Sequence, residues 1–206
     1  MIRATVDAPD VARAFYNAHA FIPARSPIPL ALIRVTPQGV YTSGTDSYAA
    51  GTDFAKASGF LGEPTDVLVG RDDLLALERC AREAKKVVAT VEVRSDGLTV
   101  EPIGCHPVTV PVHLSPEQLE LHHRLTDIIG AAEKRPGVIP GVMTLDPVLW
   151  SRFAKVKADK SERMADVLMT DGYEPVLIKI GPTFKGLLMP IEREIHETNI
   201  GPEGLW

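Results

Sequence analysis

Apolar and polar positions alternate along this chain in short runs, and three times such runs accompany one stretch of helical periodicity. The first recurrence occupies residues 2–59. A strand is predicted at 3–6, and Pro9 stands where a first-turn proline is tolerated, ahead of the amphipathic DVARAFYNAH. Strands follow at 28–36 and 40–43, joined by the turn Pro37-Gln38-Gly39, and at 47–55. The second begins at Thr65 with DVLVG, then the helical RDDLLALERCAREAKK, VVATVEVRS, an Asp96-Gly97 turn, LTVEPI and VTVPVHL. Asp-Gly between two alternating runs is a strong hairpin signal. The third places LDPVLWSRFAKVK before short strands at 167–169, 175–180 and 184–191, ending in Leu-Leu-Met-Pro-Ile.

Each predicted helix has an apolar side to bury against a sheet. In the first, Val11, Ala14 and Phe15 point inward while Arg13 and Asn17 share an outer face. In the second, Leu74, Leu77 and Ala81 face the sheet, and Arg79, Arg82 and Lys86 lie on another side. In the third, predicted over 146–163, Leu149, Phe153 and Val156 form the stripe, flanked by Arg152 and Lys155. The fold class is therefore α+β, built from repeated βαβββ units. Between the second and third units, Ser115 and Gln118 form a plausible capping box opening an amphipathic run to about Ala132, and GAAEKRPGVIPG reads as a linker. The expected domains are 1–114, with two units, a linker with a short helix at 115–140, and 141–206.

With 206 residues, 45% of them hydrophobic and 24% charged, the chain can bury a real core. Cys80 and Cys105 form no CxxC spacing or disulfide framework, the N-terminus has no signal-peptide core, and no apolar run is long enough to span a bilayer. A cytoplasmic location is expected. The net charge of −5 is unevenly spread. The three helical segments 9–19, 71–86 and 146–163 hold 11 of the 22 basic residues and 8 of the 27 acidic ones, leaving +3 on them and −8 elsewhere. Relatively basic helices on an acidic body can present one face to phosphate. They are also what solvated helix faces collect anyway.

No GxSxG, HExxH, GxxxxGK[ST] or GxGxxG occurs, so hydrolase, protease and nucleotide sites have no anchor; no catalytic residue and no cofactor is assigned. Cys105, His106, His122 and His123 invite a zinc reading, but CH-x15-HH is not an established ligand spacing and no metal is assigned.

ARSPIPLALIRV followed by YTSGTD, VLVGRDDLLALERCAREAKK with its two hairpin strands, and TLDPVLWSRFAKV through KGLLMPI together resemble, in order, repeats of the β sliding clamp of bacterial DNA polymerase III. The resemblance covers most of the chain. It implies antiparallel sheets outside, helices facing a central channel, and a head-to-tail homo-oligomeric ring that encircles double-stranded DNA without reading sequence. Such a ring tethers a polymerase and meets the clamp loader through short peptides. DNA-facing candidates are Arg13, Arg25, Arg79, Arg82, Lys86, Arg152 and Lys155, of which Arg25 matches a family position that touches DNA. Leu187, Met189, Pro190 and Ile191 match the family's partner-peptide pocket, and strand alternation puts Leu187, Met189 and Ile191 on one face. A β clamp subunit carries six repeats and trimeric clamps carry four, against three here. Residues 115–132 stand where the family has a short Phe-Pro linker; if they are the remnant of a fourth repeat, three copies close a ring of twelve, otherwise four do. The alternatives are a clamp-fold adaptor that binds peptides without encircling DNA, and a zinc-dependent enzyme. The last residues, through Leu205-Trp206, run past the usual family terminus.

Overall fold

A computed structural model describes residues 1–84, 87–113, 115–137, 143–159, 161–169 and 174–191. The first unit is β1 (Ile2–Asp7), α1 (Ala8–His19), β2 (Leu30–Val35), β3 (Gly39–Thr45) and β4 (Ala49–Leu61). The second is β5 (Thr65–Gly70), α2 (Arg71–Glu83), β6 (Val88–Arg94), β7 (Gly97–Pro102) and β8 (Val108–Val110). After α3 (Pro116–Lys134) come α4 (Pro147–Phe153), β9 (Ala165–Leu168), β10 (Val176–Ile180) and β11 (Phe184–Leu188). All strand pairings are antiparallel. This is the mixed helix and antiparallel sheet architecture that the repeated pattern predicts.

The first two units exchange their leading strands. β5 completes β2-β3-β4, and β1 completes β6-β7-β8. Neither unit has a finished sheet alone, so each buries the other's edge. α1 and α2 pack on each other between the two sheets. The shared core joins Val11 and Phe15 of α1 to Leu74 and Leu77 of α2, Ala31 and Ile33 of β2, and Ala89 and Val91 of β6. The sheets meet where β1 pairs with the far half of β4, and again at a bridge between Leu68 and His113.

The third unit joins the near half of β4. Its last strand, β11, pairs Leu187 with Ala50 and Gly186 with Gly51, so one sheet runs β5-β2-β3-β4-β11-β10-β9. Gly51 and Gly186 face each other because aromatic rings lie flat on them. A Cβ on Gly51 would sit 2.5 Å from the Phe21 ring, and one on Gly186 would sit 2.5 Å from Phe153 and 2.7 Å from the Ala50 carbonyl oxygen. Phe21, Phe153 and Phe184 fill that space, with ring centroids 5.0 and 5.7 Å from Phe21. Burying each such ring contributes about 2–3 kcal/mol.

Several elements differ from expectation. β4 runs six residues past Ala55 because β1 offers its far half an edge to pair with. α4 stops at Phe153 although the helical pattern continues to Arg163. Asp146 caps it by accepting from the Val148 and Leu149 N–H groups. Beyond it, Asn17 takes both backbone groups of Lys157, donating to its carbonyl at 3.0 Å and accepting from its N–H at 2.8 Å. Helix cannot continue through a residue whose backbone is bound elsewhere. Asn17, expected on an outer face, is fully buried. The 115–140 segment contains a nineteen-residue helix, α3, laid on the sheet, and its Ser115 cap accepts from Gln118 N–H as predicted.

Candidate functional site

Alternation along the strands separates two functional faces of the long sheet. Thr42 Oγ1 donates to the Ala14 carbonyl of α1, whereas its neighbour Ser43 bonds His122 of α3. Similarly, Val176, Ile178 and Leu188 pack with Phe153, while Leu177 and Leu187 pack with Leu125 and Ile129. Thus α1 and α4 cover one face and α3 the other.

On the helix face, the expected cations divide. Arg13 is half-buried and bound to Asp10 at 2.6 Å, Asp53 at 3.2 Å and the Phe54 carbonyl at 2.9 Å. Arg152 is largely buried against Asp46 at 2.6 Å. Both fasten elements together. Arg25, in the loop after α1, and Arg79 and Lys155 are exposed. Arg82 is exposed and loosely paired with Glu78 at 3.5 Å. Lys86 lies outside the described residues. Sequence reasoning passed over Lys157, whose Nζ stands 3.4 Å over the Tyr16 ring and 3.5 Å from the same Glu78. Those contacts bring the segment after α4 alongside both α1 and α2. Within their observed bounds α1, α2 and α4 carry five basic and five acidic side chains. The excess read over the longer predicted segments belongs to residues that follow the helices, Lys155 and Lys157 among them.

The outer face is organised by α3. His122 is fully buried; its Nε2 lies 3.2 Å from the Leu30 carbonyl oxygen and its Nδ1 2.9 Å from Ser43 Oγ. A carbonyl only accepts, so Nε2 carries the proton and Nδ1 accepts from the serine. Burial pushes the His122 pKa down to about 4. Next to it, His123 meets Asp66 at 2.7 Å, and Arg34 grips the same carboxylate with two bonds of 2.8 Å. Burial would raise the Asp66 pKa, but bonds from Arg34 and His123 outweigh it and hold it below the ordinary value. At the far end of α3, Glu133 binds Lys179 and Lys185, both at 2.8 Å. Of the residues considered for a metal, His122 and His123 thus fix α3 to the sheet. Among the described residues no group of three His, Cys, Asp or Glu side chains is arranged to hold a metal.

Leu187 is buried beneath α3, and with Met189 it lines a recess of about 80 Å³ walled by Tyr48, Leu125, Ile128 and Pro175. Met189 is held there by its N–H, which donates to the Tyr48 carbonyl at 3.0 Å. β11 ends at Leu188, so alternation does not extend to Ile191, which with Pro190 lies outside the recess; its N–H donates to the Thr144 carbonyl. Tyr48, 64% exposed, and Ile128, 45% exposed, are pocket residues that sequence reasoning missed. The signal was an aromatic residue inside a polar turn, Asp-Ser-Tyr, where nothing local requires one. Along the other flank of α3 runs a groove in two joined parts of about 320 and 290 Å³, sharing Tyr41, Thr52 and Thr126. Tyr41 packs at a tilt against Phe54 there, with centroids 4.4 Å apart and planes 36° from parallel.

No helix among the described residues is long and apolar enough to cross a membrane. No family model matches the sequence, and no curated protein matches it either. Solved structures do. A DNA polymerase sliding clamp from Pseudomonas aeruginosa superposes with a TM-score of 0.70 at 9% identity, covering 93% of this chain and 66% of that one. The DNA polymerase III β chain from Streptococcus pneumoniae TIGR4 gives 0.67 at 12% identity, over 96% and 67%. The Bacillus subtilis DNA polymerase sliding clamp gives 0.65 at 10% identity, over 96% and 66%. The chain spans about two thirds of the length of these structures. Strand-exchanged units, a third unit continuing their sheet, and these superpositions lead to one conclusion: this chain has the fold of the bacterial DNA polymerase sliding clamp.

Proposed function

We propose that the chain is a non-catalytic sliding-clamp subunit, which with further copies encircles duplex DNA and tethers a replicative polymerase. The observation that carries this reading is the edge-to-edge continuation of one sheet from the first unit into the third, with α1 and α4 together on its one face. Repeating such junctions curves sheet outward and helices inward. Arg25, Arg79, Arg82 and Lys155 are the cations this reading turns toward phosphate, where each contact is sequence-blind and salt-sensitive. Replacing both Arg79 and Lys155 by alanine should weaken DNA binding at every sequence and lower the salt slope by about one per lost contact. An unaltered slope would turn these helices away from DNA.

Polymerase and loader peptides dock, in this reading, at the recess of Met189, Leu187, Tyr48 and Ile128, where a pliable methionine suits related apolar anchors. Met189→Ala and Tyr48→Ala should each weaken peptide binding in a calorimetric titration without changing the melting temperature. Full affinity in both variants would remove the pocket assignment.

The even charge count of the three inner helices favours a second reading, a clamp-fold adaptor that binds such peptides without surrounding DNA. It keeps the effect of Met189→Ala and abolishes any DNA retention.

A further inference from the structure

Cys80 and Cys105, the two cysteines of the chain, stand well apart in the sequence and meet inside the second unit. Cys80 lies on the sheet-facing side of α2, buried in the core that the first two units share. Cys105 stands in the turn between β7 and β8 and packs against the same core from its rim, half-buried. Both are free thiols.

The direction of the Cys80 side chain decides what it can reach. Its S–H is shared between the Val100 carbonyl of β7 at 3.5 Å and the His106 carbonyl at 3.6 Å. His106 follows Cys105 directly, so the buried sulfur sits beneath the turn that carries the second thiol. The two are close enough for charge on one to act on the other. Burial raises the Cys80 pKa most, a hydrogen bond from the Val108 backbone opposes the rise, and Glu83 and Cys105 add to it. The turn also has room to adjust. The Cys105 N–H closes it on the Pro102 carbonyl at 3.1 Å, while Gly104 takes a φ of +81° with open space where a Cβ would stand. Ile103, Gly104, His106 and Pro107 around it are all exposed. A glycine hinge in an exposed turn lets the neighbouring side chain rotate inward at little cost.

We propose that Cys80 and Cys105 are a redox pair that closes into a disulfide under peroxide and staples α2 to the β7–β8 turn. Cys105 is the thiol that solvent reaches, so it reacts first. Its sulfur, as thiolate, attacks one oxygen of hydrogen peroxide; the O–O bond breaks, hydroxide leaves, and Cys105 becomes a sulfenic acid. The Cys80 sulfur then attacks the sulfenic sulfur. The S–S bond forms, the S–O bond breaks, and the departing hydroxide leaves with the Cys80 proton as water. Two thiols lose two electrons and the peroxide gains them. In a compartment that keeps thiols reduced, such a bond lasts only while oxidant is present, which makes it a reversible fastening. The pairing is independent of the clamp reading, since it uses neither the recess nor any contact with DNA.

The test treats the dilute full chain with hydrogen peroxide, blocks remaining thiols with N-ethylmaleimide, and maps tryptic peptides by mass spectrometry. Cleavage at Arg79, Arg82, Arg94 and Arg124 puts the two cysteines on the separate peptides 80–82 and 95–124. The proposal expects these two peptides joined in a chain of single-copy mass, and parted again by dithiothreitol. It also expects the melting temperature to rise by roughly 5–10 °C on oxidation. Cys105→Ser, at a half-buried turn position, should melt like the reduced wild type and show no such rise. Both cysteines blocked after peroxide, Cys105 carried on to sulfinic acid beside a free Cys80, or a link only between chains would each overturn the pair. A joined pair that leaves the melting temperature unchanged would overturn the staple.

Discussion

His122 stands out in the sequence as a metal candidate beside His123, and in the fold it anchors α3 to the sheet. Its neutral ring is buried between Leu30 and Ser43, with a pKa near 4 against an ordinary 6.5. The unfolded chain therefore binds a proton that the folded chain refuses, and stability must fall as pH drops from about 6.5 towards 4. A displacement of that size corresponds to about 3 kcal/mol by pH 4. His19, brought to about 4 by burial and by Arg71, adds loss in the same window. Glu92 acts lower: bonds from Arg94 and then Arg3 hold its pKa at about 2, so its contribution is lost only as pH falls from about 4.5 through 2. Urea unfolding at pH 7 and pH 4.5 should show a clear loss in the wild type and a smaller one in His122→Gln. Identical pH dependence in the two proteins would mean that His122 does not anchor α3.

At the scale of elements, what could be read from the sequence and what could not have different physical origins. Helix faces were legible because burial repeats with helical period: Val11, Ala14, Phe15, Leu74, Leu77, Ala81 and Phe153 are all buried as their spacing predicts, and Val156 is buried although it lies beyond the end of α4. The Asp96-Gly97 hairpin was legible because turn chemistry is local. Helix ends and strand ends were not, because distant partners set them: Asn17, 140 residues away, ends the helical path at Lys157, and β1 draws out β4. The recess was half legible. Leu187 and Met189 stand on the strand that the family resemblance singles out, whereas Tyr48 and Ile128 reach it from β3–β4 and α3 only through tertiary packing. The junction between the first and third units offers a sharp test, because two facing glycines make the floor on which its aromatic rings lie. Gly51→Ala should cost at least about 1–3 kcal/mol through overpacking and expose the third unit to limited proteolysis before the first two. A digestion pattern identical to that of the wild type would show that the junction does not depend on this close approach.

For the whole molecule, the decisive property is topological. Two strand-exchanged units and a third continuing their sheet put α1 and α4 on one face of the long sheet and α3 on the other, and the proposed function turns the first of these faces toward a duplex. On the proposed clamp reading, the even charge of α1, α2 and α4 and the net charge of −5 mean that the hold on DNA comes from enclosure more than from attraction. Enclosure and attraction part company when the DNA is given ends. The most direct measurement places the protein on closed circular DNA, with whatever loader its source cell provides, raises the salt until ordinary phosphate contacts are lost, and then cuts the circle with a nuclease. The clamp account predicts that the protein stays on the circle through the salt wash and leaves promptly on linearisation. Release from the circle by salt alone, or retention that cutting does not change, would contradict it.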